Sequence, residues 1–337
     1  MKKKAAITAV LLSLSAAMAT QAQTTTGTHL LHTYRIGSDG GWDYLLADPA
    51  SNNLYVAHGT QVNILNKKTG DSVGVILNTP RVHGIALVPV LNKGYTSNGK
   101  SGECTVFNTL THVITGRVKV GENPDAIIYD DFSKKVIVFN GRSLDASVID
   151  PKTDKVIATV ALGGKPEAGV SDGKGNIYVN IETKNQVVRF DATTFKVTGT
   201  FNLEGGEEPT GLAIDRTTSR LFVGCSNKTM LILDAGTGKK IAALPIGEES
   251  DGIAFDPALK LAYSSNGDGT LTIVKESNAN KFTVLENIKT VSGARTITLD
   301  PVSHHIFMPV ADFKPATEKG KRPTKIPGTF RVLEYGI

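Results

Sequence analysis

Short apolar runs, rich in Val, Ile, Leu, Tyr and Phe, alternate along this chain with clusters of Gly, Pro, Asn, Asp and Thr. No segment keeps a helical spacing. The pattern predicts short β-strands joined by tight turns. In one stretch the runs are Ala126–Tyr129, Val136–Asn140, Asp145–Ile149 and Val156–Leu162, with Asp150-Pro151-Lys152-Thr153-Asp154 as a turn. The same four-run unit recurs. Its most regular phrase occurs seven times at a spacing of 40–44 residues, beginning at Trp42, Val82, Pro124, Pro166, Pro209, Ser250 and Ala294. A fixed period of that length filled with short strands predicts an all-β, seven-bladed β-propeller with four strands, a to d, in each blade.

The ends predict how the ring closes. The seventh repeat supplies Thr296–Leu299, Ile306–Val310 and Thr329–Glu334, and the sequence then stops at Ile337 without a fourth run. Near the start, His29–Ile36 is a strand with no partners before it. Placing it as the outer strand of the last blade pairs two edges that would otherwise stay open. A single propeller domain over 23–337 is therefore expected, and a monomer.

Before that domain, Met1-Lys2-Lys3-Lys4 leads into an apolar stretch and then small residues, with cleavage expected after 19 or 22. This is the layout of a secretory signal peptide, and the run is too short to span a bilayer. A periplasmic or secreted location follows as an expectation. Losing the three lysines brings the formal net charge of +5 to near +2, which gives little general attraction for nucleic acid or anionic membrane. The only cysteines, Cys104 and Cys225, are assigned by the repeat to blades 2 and 4, too far apart for a disulfide. The G-x-S-x-G matches at Gly70 and Gly169 lack the strand-to-helix elbow that would make a nucleophile. His304-His305 falls in an a–b turn and is read as solvated.

Gly121-Glu122-Asn123-Pro124, Leu54-Tyr55-Val56, Ile177-Tyr178-Val179-Asn180, Val148-Ile149-Asp150 and Leu231-Ile232-Leu233-Asp234 together resemble the repeat of the YVTN β-propellers, the YncE-like proteins. The resemblance covers nearly the whole chain after the signal segment. It implies a propeller and export, and it adds little about chemistry.

In a four-stranded blade the d–a and b–c connections share one face. The starts of strands a then gather Asp43, His83, Asp125, Glu167, Thr210, Asp251 and Arg295 at one mouth of the central channel, and the ends of strands b bring His58, Asn98, Asn140 and Asn266. Trp42, the only tryptophan, stands beside Asp43 and offers a stacking face. Such residues also suit turns, so a purely structural role is one reading. A second is a binding site for a small polar ligand or peptide. A third is a divalent cation, held by Asp125, Glu167 and Asp251, in a metal-dependent hydrolase resembling lactonases with His83 or His58 as base. The loop 312–328 interrupts blade 7 with Lys319, Lys321, Arg322 and Lys325, which gives a further reading: single-stranded nucleic acid or another polyanion.

Overall fold

The computed structural model describes residues 25–314 and 323–337. The expected signal segment at 1–22 lies outside the described residues, as do Lys319, Lys321 and Arg322. The chain forms seven four-stranded antiparallel sheets arranged as the blades of an all-β propeller. Blade 1 comprises Trp42–Ala47, Asn53–His58, Gln61–Asn66 and Ser72–Ile76, from the channel outward. Blades 2 to 6 repeat this order, with inner strands Val82–Val88, Pro124–Asp130, Pro166–Ser171, Pro209–Asp215 and Ser250–Asp256. Each inner strand touches that of the next blade, and the last, Thr298–Asp300, meets the first.

Blade 7 closes the ring as its sequence predicts. His29–Arg35 is its outer strand, paired antiparallel with Arg331–Gly336, which pairs in turn with His305–Val310. Glu334 is almost fully buried in this closure. Its carboxylate accepts hydrogen bonds from Tyr34 Oη at 2.5 Å, His32 Nδ1 at 2.8 Å and His305 Nδ1 at 2.7 Å. Three strands of the blade are thereby joined at one carboxylate.

The core is divided among seven apolar clusters, one between each pair of neighbouring blades. Phe139 and Phe190, for example, fill the space between blades 3 and 4. Alternation along each strand sends side chains to both faces of the blade; both faces are covered along the two middle strands, which read as near-continuous apolar runs, while outer strands such as Ser72–Ile76 and Lys155–Ala161 stay largely exposed. Burying one such side chain stabilises the fold by roughly 1.5–3 kcal/mol.

The repeated Asp that ends strand a has a structural cause. Asp130, Asp215, Asp256 and Asp300 are buried, accept backbone N–H groups of the following turn, and receive a side chain from the next blade. These donors are Ser171 at 2.5 Å, Lys260 at 3.0 Å, His304 at 2.7 Å and Lys67 at 3.0 Å. His304 and His305 are therefore bonded to buried carboxylates rather than merely solvated. Both cysteines are buried and free. Cys104 lies in blade 2, but Cys225 ends the strand after Pro209–Asp215 and so belongs to blade 5, not blade 4.

Candidate functional site

In the first six blades the pairing of strands a and b slips by one residue just inside the mouth. The slips fall between Trp42 and Leu45, Val82 and Ile85, Pro124 and Ile127, Pro166 and Gly169, Pro209 and Leu212, and Ser250 and Gly252. A β-bulge re-aims the side chain it carries. Asp43, His83, Asp125, Glu167, Thr210 and Asp251 each occupy such a bulge. Side chains of neighbouring blades fix the bulged backbone: Ser97 donates to the Asp125 carbonyl, Asn180 to that of Thr210 and Thr296 to that of Asp43, and Ser265 holds the Arg295 carbonyl at the corresponding place in blade 7.

The ring is crowded and acidic. His83 Nδ1 lies 2.5 Å from Asp43 Oδ2 and 3.6 Å from Asp125 Oδ1. Asp43, His83 and Asp125 each place a potential ligand atom within 4.8 Å of the others, the only three-residue grouping of its kind among the described residues. Lys165 Nζ is 2.5 Å from Glu167 and also bonds Glu182, while Arg295 Nε is 3.2 Å from Asp251 Oδ2. Four carboxylates thus face three basic side chains, one of which is shared with Glu182.

Burial, then the charge of Asp43, pushes the Asp125 carboxyl well above the usual range, with His83 opposing. Burial and Asp125 push Glu167 up in the same way, although Lys165 opposes. Asp251 is pushed up to about 6 by burial, against the pull of Arg295. Burial works against a charge on His83, but the hydrogen bond to Asp43 and the nearby Asp125 outweigh it and raise its pKa. The ring holds more negative charge than its own cations balance, and it answers by retaining protons. Chemically it can accept a cation or exchange a proton.

Other sequence-selected residues lie elsewhere. His58 is 1% exposed, stacks on Phe330 at 3.8 Å and bonds Ser38 Oγ through Nδ1 at 2.8 Å. Burial and Lys325 lower its pKa to about 4, so it is neutral and faces no ligand space. Asn98, Asn140 and Asn266 are fully buried, and their amides bond the adjoining strand of their own blades, at Thr105, at Asp145 and Ser147, and at Thr270 and Thr272. They staple strand b to strand c instead of lining the pocket. Trp42 packs between Phe330 and Phe313, with ring centres 5.5 and 5.8 Å away. Lys325 donates to the Gly40 carbonyl, in the connection that leads into blade 1. Of the three acids expected from sequence to hold a cation, Glu167 and Asp251 have cationic partners, and the donor atoms that lie within reach of one another belong to Asp43, His83 and Asp125.

Two residues escape sequence reading. Lys165 stands before the bulge, and only the fold shows that it bridges two acids. Tyr44 follows Asp43 and resembles any strand aromatic, yet it lines the channel under the ring. The signal was available: the equivalent positions are Gly84, Ala126, Ala168, Gly211, Gly252 and Thr296, all small. The channel cavity holds about 180 Å³ and is lined by these inner strands, with Tyr44 and Asp251 in its wall.

No family model matches the chain, and no curated protein matches it. Among solved structures it is similar to a chain described as Kuenenia stuttgartiensis hydrazine synthase, with a TM-score of 0.71 and 15% identity over 85% of this chain and 95% of that one. At that identity the likeness concerns the fold alone: the class defined here is a seven-bladed, four-stranded β-propeller. No helix among the described residues is long and apolar enough to cross a membrane.

Proposed function

We propose that this protein is an exported binding propeller that takes a small cationic ligand at the acidic mouth, without a reaction of its own. One observation carries the reading. Four buried or half-buried carboxylates from four blades converge at bulges, and burial raises the pKa of three of them. A buried acidic cluster with too few counter-charges destabilises the empty fold, and a bound cation relieves it. The propeller offers a rigid frame for such a site, but fold alone assigns no function. Export to the periplasm or beyond rests on the leader-like start and the YVTN-like repeats, and the folded unit proposed is 23–337. The test is calorimetric titration with simple cations. Asp125→Asn combined with Glu167→Gln should fold and bind at least tenfold more weakly; unchanged binding would make the ring structural.

A second reading has its own observation. Asp43, His83 and Asp125 offer one nitrogen and two oxygens within 4.8 Å, a donor set that divalent ions accept. A metal-dependent hydrolase would follow only from an ion there. Elemental mass spectrometry of protein purified without chelator decides it: one divalent ion per chain supports a metal, and none after dialysis against Ca²⁺, Mg²⁺, Mn²⁺ and Zn²⁺ excludes it.

A further inference from the structure

We infer that the cleft between blades 7 and 1, on the face opposite the acidic mouth, is a second ligand site, built for a small carboxylate with an apolar body. The sequence places the same phrase on both sides of it. Asp48-Pro49-Ala50-Ser51 turns strand a into strand b in blade 1, and Asp300-Pro301-Val302-Ser303 does so in blade 7. In each turn the Asp carboxylate accepts the backbone N–H two residues on and the Ser hydroxyl three residues on, at 2.6–3.2 Å. Lys67, between strands c and d of blade 1, ties the two turns together. Its ammonium donates to the Asp48 carbonyl at 2.6 Å and lies 3.0 Å from Asp300 Oδ2. Tyr34 of the closing strand donates to the Lys67 carbonyl at 2.9 Å. The walls are thus held by hydrogen bonds before any ligand arrives. Between them lies a cavity of about 490 Å³, within the ~300–1,000 Å³ range of small-molecule pockets.

The lining decides the chemistry. Phe307 is buried, while Val302, on the same cavity, is 68% exposed: part of an apolar wall stands in water. Pro49 and Ala50 add to it from the blade 1 side. Both acids of the lining are already engaged. Asp300 receives the Val302 N–H, the Ser303 hydroxyl and Lys67. Glu334 receives His32, Tyr34 and His305. A cationic ligand would have to displace one of these donors. The open groups are of the other kind. Lys68 is exposed on the cavity, and its ammonium has no ion-pair or hydrogen-bond partner among the described residues. Glu334 engages both imidazoles through Nδ1, which leaves each Nε2 without a partner, and a protonated ring donates through that nitrogen. An anionic head therefore meets unused donors here, and a short apolar chain behind it covers Val302. The site shares no residue with the acidic mouth, where the surplus charge has the opposite sign.

The experiment is calorimetric titration of the full chain with hexanoate and with its neutral counterpart, hexanamide. Hexanoate should bind, and the amide should bind about tenfold more weakly, because charge-assisted hydrogen bonds to the head are lost. Two substitutions at exposed turn positions leave the core untouched. Lys68→Met should weaken hexanoate by about fivefold, the upper end for a single exposed ion pair, and should leave the amide unchanged. Val302→Asp should weaken hexanoate by about tenfold, since it removes apolar contact and adds a repelling charge. Asp125→Asn with Glu167→Gln, at the opposite mouth, should leave hexanoate binding as it was. Absence of hexanoate binding overturns the site. So does an amide that binds as well as the acid, since the open donors then select nothing. Hexanoate binding that neither Lys68→Met nor Val302→Asp changes, or that the mouth variant abolishes, places the ligand elsewhere and overturns the assignment of this cleft.

Discussion

Replacing Asp125 and Glu167 by their amides should make the empty protein more stable above neutral pH, even as it weakens ligand binding. Asp43 and Asp125 hold oxygens within 4.8 Å of each other. At an effective dielectric near 20, two full charges at that distance repel by about 3.5 kcal/mol. Asp251 gives a second measure: a carboxyl moved from 3.8 to about 6 represents on the order of 3 kcal/mol between its protonation states. The sign follows from proton linkage. Asp125, Glu167 and Asp251 hold protons more tightly folded than unfolded, so their contribution is fully present below the unfolded values, 3.8 for the aspartates and 4.5 for Glu167, and is lost as pH rises through the folded values. His83, also raised, adds to the same trend from 6.5 upward. Asp215 and Asp300 have lowered values and lose stability only toward pH 3.8 and below, so pH 5 is a safe lower arm. Urea unfolding at pH 5 and pH 8.5, without added cations, should show wild type weaker at pH 8.5 by on the order of 3 kcal/mol. The double amide variant should remove most of that difference. A flat wild-type profile, or a double variant less stable than wild type at pH 8.5, would refute the view that the ring is electrostatically strained.

Glu334→Ala should destabilise the ring closure by about 3 kcal/mol, since two histidines and a tyrosine lose one buried acceptor; urea unfolding gives the magnitude, and limited proteolysis should release the strand His29–Arg35 first. Lys67→Met should lower stability by about 3 kcal/mol at pH 7, because Asp300 keeps its charge in a buried place; the loss should shrink as pH falls toward 3, where Asp300 takes up a proton. Gly211→Ala should cost roughly 1–3 kcal/mol, measured by the unfolding midpoint, because the new Cβ would lie 2.7 Å from the Ile253 backbone nitrogen. Cys104 and Cys225 are buried, and burial pushes the Cys225 thiol up to about 12. Neither should react with a thiol reagent in the native protein at pH 8, and both should react in denaturant.

The fold was legible because a propeller repeats its whole hydrophobic plan. Short apolar runs in fours, repeated around the ring, leave few other ways to bury both faces of the middle strands. The surplus strand at one end and the deficit at the other fixed the closure, and the pairing of His29–Arg35 with Arg331–Gly336 realises it. The acidic column was legible for the same reason: position in the repeat gives position in the ring. Direction is harder to read. The ends of strands b bring Asn98, Asn140 and Asn266 to the same mouth as the acids, but position in the repeat does not show that their amides are used within the blade. Lys165 stayed hidden because it joins two acids distant in sequence within its own blade, and Tyr44 because it reaches across the channel, and no local pattern encodes either. Tyr44 is nevertheless the informative exception. Where the other six repeats place Gly, Ala or Thr, a large aromatic residue in the first departs from the plan of the scaffold. The acids above it also depart from it, since burial works against their charge. Departures from local rules that leave strain in the empty molecule are expected where a ligand supplies what is missing. The two departures are neighbours at one end of the channel, where Tyr44 and Asp251 share a cavity wall, which is why the mouth of this propeller is the place to look for that ligand.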